Sequence, residues 1–198
     1  MEETLRAAQR RRRSDAMVAS ALALFAERGV DAVSVDEICE RAMVSRATFF
    51  NYFPAKESVF AAVARRRLEA LGSLLRAHGG GEAGGRAGLL SLFRRFAAEN
   101  ASMGEGARVL LPPILARMST DAELAGLQKQ ARKVLARIVA TLQREGEARL
   151  DASPVALADA VWSVYLGSTV AALTDAKALR GLPADMTWRI DMLLGAGK

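Results

Sequence analysis

The chain has 198 residues, 51% apolar and 25% charged, and its 28 Lys and Arg against 22 Asp and Glu give a net charge of +6. That balance fits one compact domain or two small ones and argues against wholesale disorder, while +6 permits an anionic partner without requiring one. One cysteine, Cys39, excludes an internal disulfide and fits a reducing compartment; one histidine, His78, leaves almost nothing for histidine-based catalysis or a metal site.

No run of about 18 consecutive apolar residues occurs, and Arg6 and Arg10 to Arg13 are not followed by the apolar stretch of a secretory leader. No membrane partner is therefore expected, and the expected location is cytoplasmic. Nearly every long segment carries its apolar residues at helical period, so the fold class is all-α, with about nine helices.

Residues 1–13 read either as a basic arm that reaches phosphates or as a solvated, disordered tail. A first helix follows, with Met17, Val18, Ala21, Leu24 and Phe25 on one face, Ser14 as a possible N-cap and Gly29 beyond its end. Ser34-Val35-Asp36-Glu37 is a capping box that opens a short second helix, whose apolar face is Val35, Ile38, Cys39 and Ala42. Cys39 on that face reads as a small buried hydrophobe rather than a redox sensor. Met43-Val44-Ser45 leaves room only for a tight turn. Ser45 can cap a third helix from about Arg46 to Phe53, which Pro54 stops.

A longer helix is expected over 56–77, followed by a glycine-rich loop from His78 to Gly88. Further helices are predicted at about 86–100, at 107–118 (kinked or broken by Pro112 and Pro113) and from Ser119 or Thr120 to about Glu147. The last two are a helix with Ser153-Pro154 at its start, reaching about Thr174, and one over about 183–194. The organisation is thus a possible arm at 1–13, a three-helix unit at 14–55 and a larger helical bundle at 56–198. Helix 56–77 is shared between the last two.

Helix, tight turn and helix over 34–53 is the spacing of a helix-turn-helix. With Phe49 and Phe53 facing the core at i and i+4, Ala47 and Asn51 point outward, flanked by Thr48 and Phe50. These types suit a major groove. Arg46 can bond guanine O6 and N7, Asn51 can bond adenine or a phosphate, and Ala47 or Phe50 can pack on a thymine methyl. Lys56 supplies a cation where a duplex backbone would pass. Charge is a poor guide here, because residues 1–70 hold 12 basic and 10 acidic residues.

The stretch VSVDEICERAMVSRATFFNYFPAKESVF resembles the DNA-binding domain of TetR-family transcriptional regulators. Ser34, Ile38, Ala42, Val44, Ser45, Thr48, Phe49, Tyr52, Phe53 and Lys56 fall on that family's pattern. The resemblance implies that Ser45, Arg46, Ala47, Thr48, Phe50 and Asn51 face base edges or nearby phosphates. It also implies that Tyr52 and Lys56 grip the backbone and that Ser34 binds a phosphate. Met43 stands where the family usually has Gly, which suggests a turn with no demand for left-handed geometry. Cys39 replaces the usual Ala, and Phe50 the usual Tyr.

For the rest of the chain the resemblance implies a divergent ligand-binding domain and a homodimer formed through helices near 153–174 and 184–194. The expected seam is a stripe of Val155, Ala158, Trp162, Tyr165, Leu166, Thr169 and Leu173, joined by Met186, Ile190, Leu193 and Leu194. Candidate pocket residues are Phe93, Phe96, Leu110, Met118, Trp162 and Tyr165, all of which could equally be ordinary core. Arg94, Asn100, Arg117 and Ser163 are polar groups able to orient a ligand. The expectation is a dimeric, non-enzymatic repressor of a palindromic double-stranded DNA operator, released by an unknown small apolar effector, with no catalytic residue, cofactor or metal. The alternative is a TetR-like DNA-binding protein that acts through a protein partner without a small-molecule ligand. A helical enzyme is a poor third reading, since no carboxylate pair at i, i+3 or i, i+4 lies on an apolar face.

Overall fold

A computed structural model describes residues 2–78 and 84–195, with side chains for 6–77 and 84–195. Among the described residues there are nine helices and no strand: α1 (Glu2–Arg28), α2 (Val35–Ala42), α3 (Arg46–Phe50), α4 (Ser58–His78), α5 (Gly85–Ser102), α6 (Gly106–Thr120), α7 (Ala122–Arg144), α8 (Pro154–Ala172) and α9 (Ala176–Leu194). The buried side chains form one continuous cluster from Met17 in α1 to Leu194 in α9. The helix-turn-helix and the larger bundle therefore share a core. The side chain of His78 and the glycines at 79–81 lie outside the described residues, whereas Gly85 and Gly88 belong to α5.

α1 begins at Glu2, not near Ser14. Residues 2–13 are almost all strong helix formers (Glu, Ala, Leu, Gln, Arg), and Glu2 and Glu3 stand at the end of the helix that favours negative charge. Their propensity extends the helix through the segment expected as an arm or a tail. Ser14 is mid-helix, and its hydroxyl accepts from Arg66 Nη2 at 3.0 Å. The expected stop is present: Gly29, at φ +82°, donates its N–H to Phe25 O at 2.8 Å.

Both hydroxyl caps of the helix-turn-helix form. Ser34 Oγ accepts from Glu37 N at 3.2 Å while Glu37 Oε2 accepts from Ser34 N at 2.8 Å. Ser45 Oγ accepts from Thr48 N at 3.1 Å. α3 ends at Phe50, three residues early, because Pro54 prevents regular continuation; Phe53 N still donates to Phe49 O at 2.9 Å.

The turn between α2 and α3 corrects the reading of Met43. Its backbone is left-handed, with φ 54° and ψ 46°, and its N–H closes the end of α2 on Glu40 O at 3.1 Å. The tight turn imposes this geometry on a residue whose Cβ resists it. Met43 is 92% exposed, so its side chain contributes almost no packing in return. Met43→Gly is expected to stabilise the fold by about 0.5–1 kcal/mol, measured by urea unfolding. A loss of stability would show that the turn is not strained.

In the larger unit, α4 packs on α6 and α7, α5 on α9, and α8 on α7 and α9. α6 runs unbroken through Pro112 and Pro113, held by Leu110, Leu111 and Ile114 in the core. The prolines still remove two helical N–H donors. Asp121, rather than Ser119 or Thr120, caps α7, accepting from Glu123 N at 2.9 Å and Leu124 N at 3.1 Å. Ser153 and Pro154 open α8 as expected. α9 starts at Ala176, well before Pro183, because Asp175 accepts from Ala178 N at 2.7 Å and so supplies an earlier cap. Arg86 ties the start of α5 to the end of α9 through Asp191 Oδ1 at 2.7 Å and Asp191 O at 2.6 Å.

By length and composition α8 is apolar enough to cross a membrane, although it holds no run of purely apolar residues of that length. Eight of its residues, among them Trp162 and Tyr165, are buried within the bundle. Burial against neighbouring helices accounts for that face.

Candidate nucleic-acid interface

Phe49 and Phe53 anchor the helix-turn-helix from below, buried against each other at 5.4 Å between ring centres. With those rings inward, Ser45, Arg46, Ala47, Phe50 and Asn51 are exposed on one side, and Thr48 is half-buried beside them. The outward set expected from the helical wheel is the outward set found. Phe50 is 43% exposed and lies edge-on to Phe49, so its ring is available for apolar contact.

Arg46 is held. Its Nη1 donates to Asp36 Oδ2 at 2.8 Å and Oδ1 at 2.9 Å, and the guanidinium sits over the Phe50 ring at 5.8 Å. Both charged groups of that ion pair are mostly in solvent, where such a pair is worth about 0–1 kcal/mol and exchanges readily for another anion or a base edge. Tyr52 is half-buried, with the Arg10 guanidinium 5.5 Å above its ring. The contact brings the basic half of α1 to the end of α3. Residues 6–13 of α1 are all exposed, among them Arg11, Arg12 and Arg13.

Two expected phosphate ligands have other work. Lys56 Nζ donates to Val30 O at 2.7 Å and Val33 O at 2.8 Å, with Asp31 O at 3.4 Å. An ammonium has three donors, and the carbonyls of the loop between α1 and α2 use them. Ser34 Oγ donates to Glu37 Oε2 at 2.8 Å, so the hydroxyl is turned to a carboxylate, an unfavourable neighbour for a phosphate. The signal for Lys56 was absent from spacing alone, because the loop carbonyls come from residues 23 to 26 positions earlier.

Glu37 is held at a pKa of about 2, down from the ordinary 4.5, first by the Ser34 N–H and then by the Arg28 guanidinium 2.7 Å away. A folded-state pKa below the unfolded value stabilises the fold above about pH 4.5, and that contribution is lost as the pH falls towards 2. The stability difference between wild type and Glu37→Gln should therefore shrink as the pH is lowered from 5 to 2. Thermal unfolding in pH steps checks this; a constant difference would show that the charge is not what holds the cap. Cys39 is buried, which pushes its thiol pKa up and keeps it protonated.

Residues 18–63, which span this helix-turn-helix, match the family described as bacterial regulatory proteins, tetR family. Those residues carry a TetR-family DNA-binding domain. The whole architecture agrees. The structure of SmeT of Stenotrophomonas maltophilia, repressor of the multidrug efflux pump SmeDEF, superposes with a TM-score of 0.69 at 21% identity, over 91% of this chain and 88% of that one. The TetR regulatory protein of Rhodobacter sphaeroides gives 0.65 at 24% identity, over 90% and 96%. Thermus thermophilus FadR, a TetR-family repressor in complex with lauroyl-CoA, gives 0.60 at 25% identity, over 90% and 93%. No curated protein matches the chain in sequence. TetR-family members are DNA-binding transcriptional regulators rather than enzymes, and they bind DNA as dimers.

In the larger bundle, the residues expected to line a pocket divide. Met118 and Tyr165 border a small interior cavity of about 20 Å³, whereas Phe93, Phe96, Leu110 and Trp162 do not. Those four are core: Phe93 and Trp162 pack their rings on Tyr165 at 5.7 and 5.9 Å between centres. Of the polar candidates only Asn100 borders the cavity. Arg67, which is not among the expected pocket residues, borders it too.

Proposed function

We propose that the protein is a sequence-specific repressor that binds a palindromic operator as a homodimer and is released by a small ligand. The observation that carries this reading is the outward face of α3, where Arg46, Ala47, Phe50 and Asn51 stand in solvent above a buried Phe49. Those four types match major-groove chemistry, and Arg10 over Tyr52 supports a backbone role for the basic half of α1. Arg46 moves from Asp36 to a base, with Asp36 holding it extended until then. Lys56 serves the interface by fixing the loop that sets α2 against α1.

Ligand release needs a path from the bundle to the DNA-binding unit. α4 and α6 both supply one. Arg66 on α4 binds Asp15 on α1 at 2.6 Å, and Gly106 opens α6 so close to α1 that a Cβ there would lie 3.2 Å from Ala26 Cβ. A ligand that moves α6 thus presses on α1 directly, and it shifts the equilibrium by its differential affinity for the two arrangements. The complex of T. thermophilus FadR with lauroyl-CoA shows that the fold has room for such ligands in another member.

One observation favours a second reading, in which the protein acts through a protein partner and no small ligand. The cavity beside Arg67, at about 20 Å³, holds roughly one water. The two readings separate in one experiment. Selection of bound sequences from random duplex DNA with the full chain should return a palindrome, and compounds are then screened for release of it. Arg46→Ala should cost about 1–3 kcal/mol of operator binding and relax one base position. Unchanged selectivity would remove Arg46 from base readout, and recovery of no preferred sequence would overturn the proposal.

A further inference from the structure

Besides Tyr165, the buried polar side chains among the described residues are Asn100, Ser168 and Thr169, and Asn100 and Thr169 border the same small cavity as Tyr165. Another wall group is Arg67 of α4, whose Nη2 donates to Asn100 Oδ1. Its two neighbours in sequence are neutralised by carboxylates, Arg65 by Glu123 and Arg66 by Asp15. No such partner stands beside Arg67 among the described residues. Burying polar groups is costly unless they are satisfied, and a partly buried cation without a counter-ion is the costliest of them.

The hydrogen bonding that remains in this cavity runs one way. Thr169 Oγ1 donates to Tyr165 O at 2.8 Å, so its proton is engaged. Asn100 Oδ1 is filled by Arg67, while Asn100 Nδ2 and the Tyr165 hydroxyl take part in no described hydrogen bond. Three residues that carry donor groups therefore border one space: Arg67 with its guanidinium, Asn100 with its amide NH₂ and Tyr165 with its phenol. Opposite them stand Leu111, Ile114 and Met118 of α6, all apolar.

We infer that this is the headgroup site of a pocket for a monocarboxylate with a hydrocarbon or aryl body. A carboxylate accepts two bonds from Arg67 and has lone pairs left for Asn100 Nδ2 and the Tyr165 hydroxyl. It supplies the missing charge, which a neutral apolar effector cannot. The cavity admits the headgroup's first atoms only, so the body enters by displacing α6. That helix is the wall built to yield: Pro112 and Pro113 leave the carbonyls of Arg108 and Val109 without helical donors, and Met118 is a side chain that repacks easily. The inference rests on the ligand-release reading above and names the chemical class of that ligand.

The test uses the full-length dimer, calorimetric titration at pH 7.5, and three acids matched with alcohols of the same skeleton: octanoate and octanol, decanoate and decanol, phenylacetate and 2-phenylethanol. At least one acid is expected to bind about tenfold or more tightly than its alcohol. Arg67→Gln should bring the pair within about threefold, and Arg67→Lys should restore part of the difference. Asn100→Asp, which gives Arg67 a carboxylate of nearly the same shape, should abolish acid binding while keeping the fold, and it serves if Arg67→Gln does not fold. Equal binding of acid and alcohol, a preference that survives these substitutions, or no saturable binding by any acid would overturn the inference. Release of the selected operator is read separately. Acid binding without release would sink the release reading and leave the pocket; release by the alcohols as well as by the acids would do the reverse.

Discussion

Lys56→Met is expected to lower the stability of the protein by about 2–3 kcal/mol, or roughly 5–10 °C in midpoint temperature for a chain of this size. The substitution keeps the length of the stem and removes the ammonium. Val30 O and Val33 O, both in partly buried positions, then lose donors at 2.7 and 2.8 Å. Charge-assisted bonds to backbone oxygen are among the stronger ones; Val33 O has no other described partner, and Val30 O keeps only the long bond from Val33 N at 3.3 Å. The loop they belong to sets the angle between α1 and α2, so operator binding should fall in proportion to the fraction unfolded or misangled. The salt dependence of the remaining binding should stay as steep as in wild type, since no phosphate contact is lost. A midpoint that does not move, together with a salt slope flatter by about one, would instead make Lys56 a phosphate ligand. The two measurements point in opposite directions for the two roles, which makes this residue the best discriminator in the DNA-binding unit.

How far the sequence carries depends on the range of the interaction. The all-α class, the capping box at Ser34, the N-cap at Ser45, the inward Phe49 and Phe53 and the stop at Gly29 are local, set by residues three to eight apart. All of these were legible. The start of α1 lies outside that local set of cues, because the arginine run suggests charge while its helix propensity decides the outcome. At Met43 the turn's geometry prevails over the residue's own preference. At the beginning of α9 the start signal of Pro183 is outweighed by a cap at Asp175 eight residues earlier.

Tertiary contacts were harder to read, and Arg67 is the instructive case. It lies three residues after Ala64 and four before Leu71, both buried, and so on the apolar face of α4. Three successive arginines point about 100° apart along a helix, so one of the run had to face inward. The periodicity was therefore sufficient to find Arg67. What it could not supply was Asn100, 33 residues on and on another helix, which shows that the inward arginine meets an amide instead of an acid.

The same distinction bears on where a dimer would form. The stripe expected to make the seam is mostly internal: Ala158, Trp162, Tyr165, Thr169, Met186, Ile190 and Leu194 are buried within one chain. Periodicity reports that a helix has an apolar face but does not tell which neighbour covers it. Outside the buried residues the same two helices still carry large exposed hydrophobics, Val155 (61%) at the edge of the stripe and Val170 (55%) beyond it on α8, and Trp188 (62%) and Met192 (62%) on α9. Isolated exposed apolar residues are ordinary, but four on one helical pair are not, and Trp188 and Met192 share a face at i and i+4. Gly167 and Gly181, with nothing within 4 Å of a built Cβ, leave space for a second pair of helices to come close. A homodimer covering this outer face follows as the proposal, with α8 and α9 as the elements and the outer residues as the contacts. Val170→Glu with Met192→Glu is expected to leave the monomer folded, because neither side chain belongs to its core, and to convert the dimer to monomer by light scattering. Operator affinity should then fall by about 10²–10⁴-fold, since each recognition helix loses the partner that holds it at the second half-site. The matching inner substitution, Ile190→Ala, should instead cost about 2–4 kcal/mol of monomer stability by leaving a cavity. A double variant that stays dimeric and keeps its operator affinity would place the seam elsewhere.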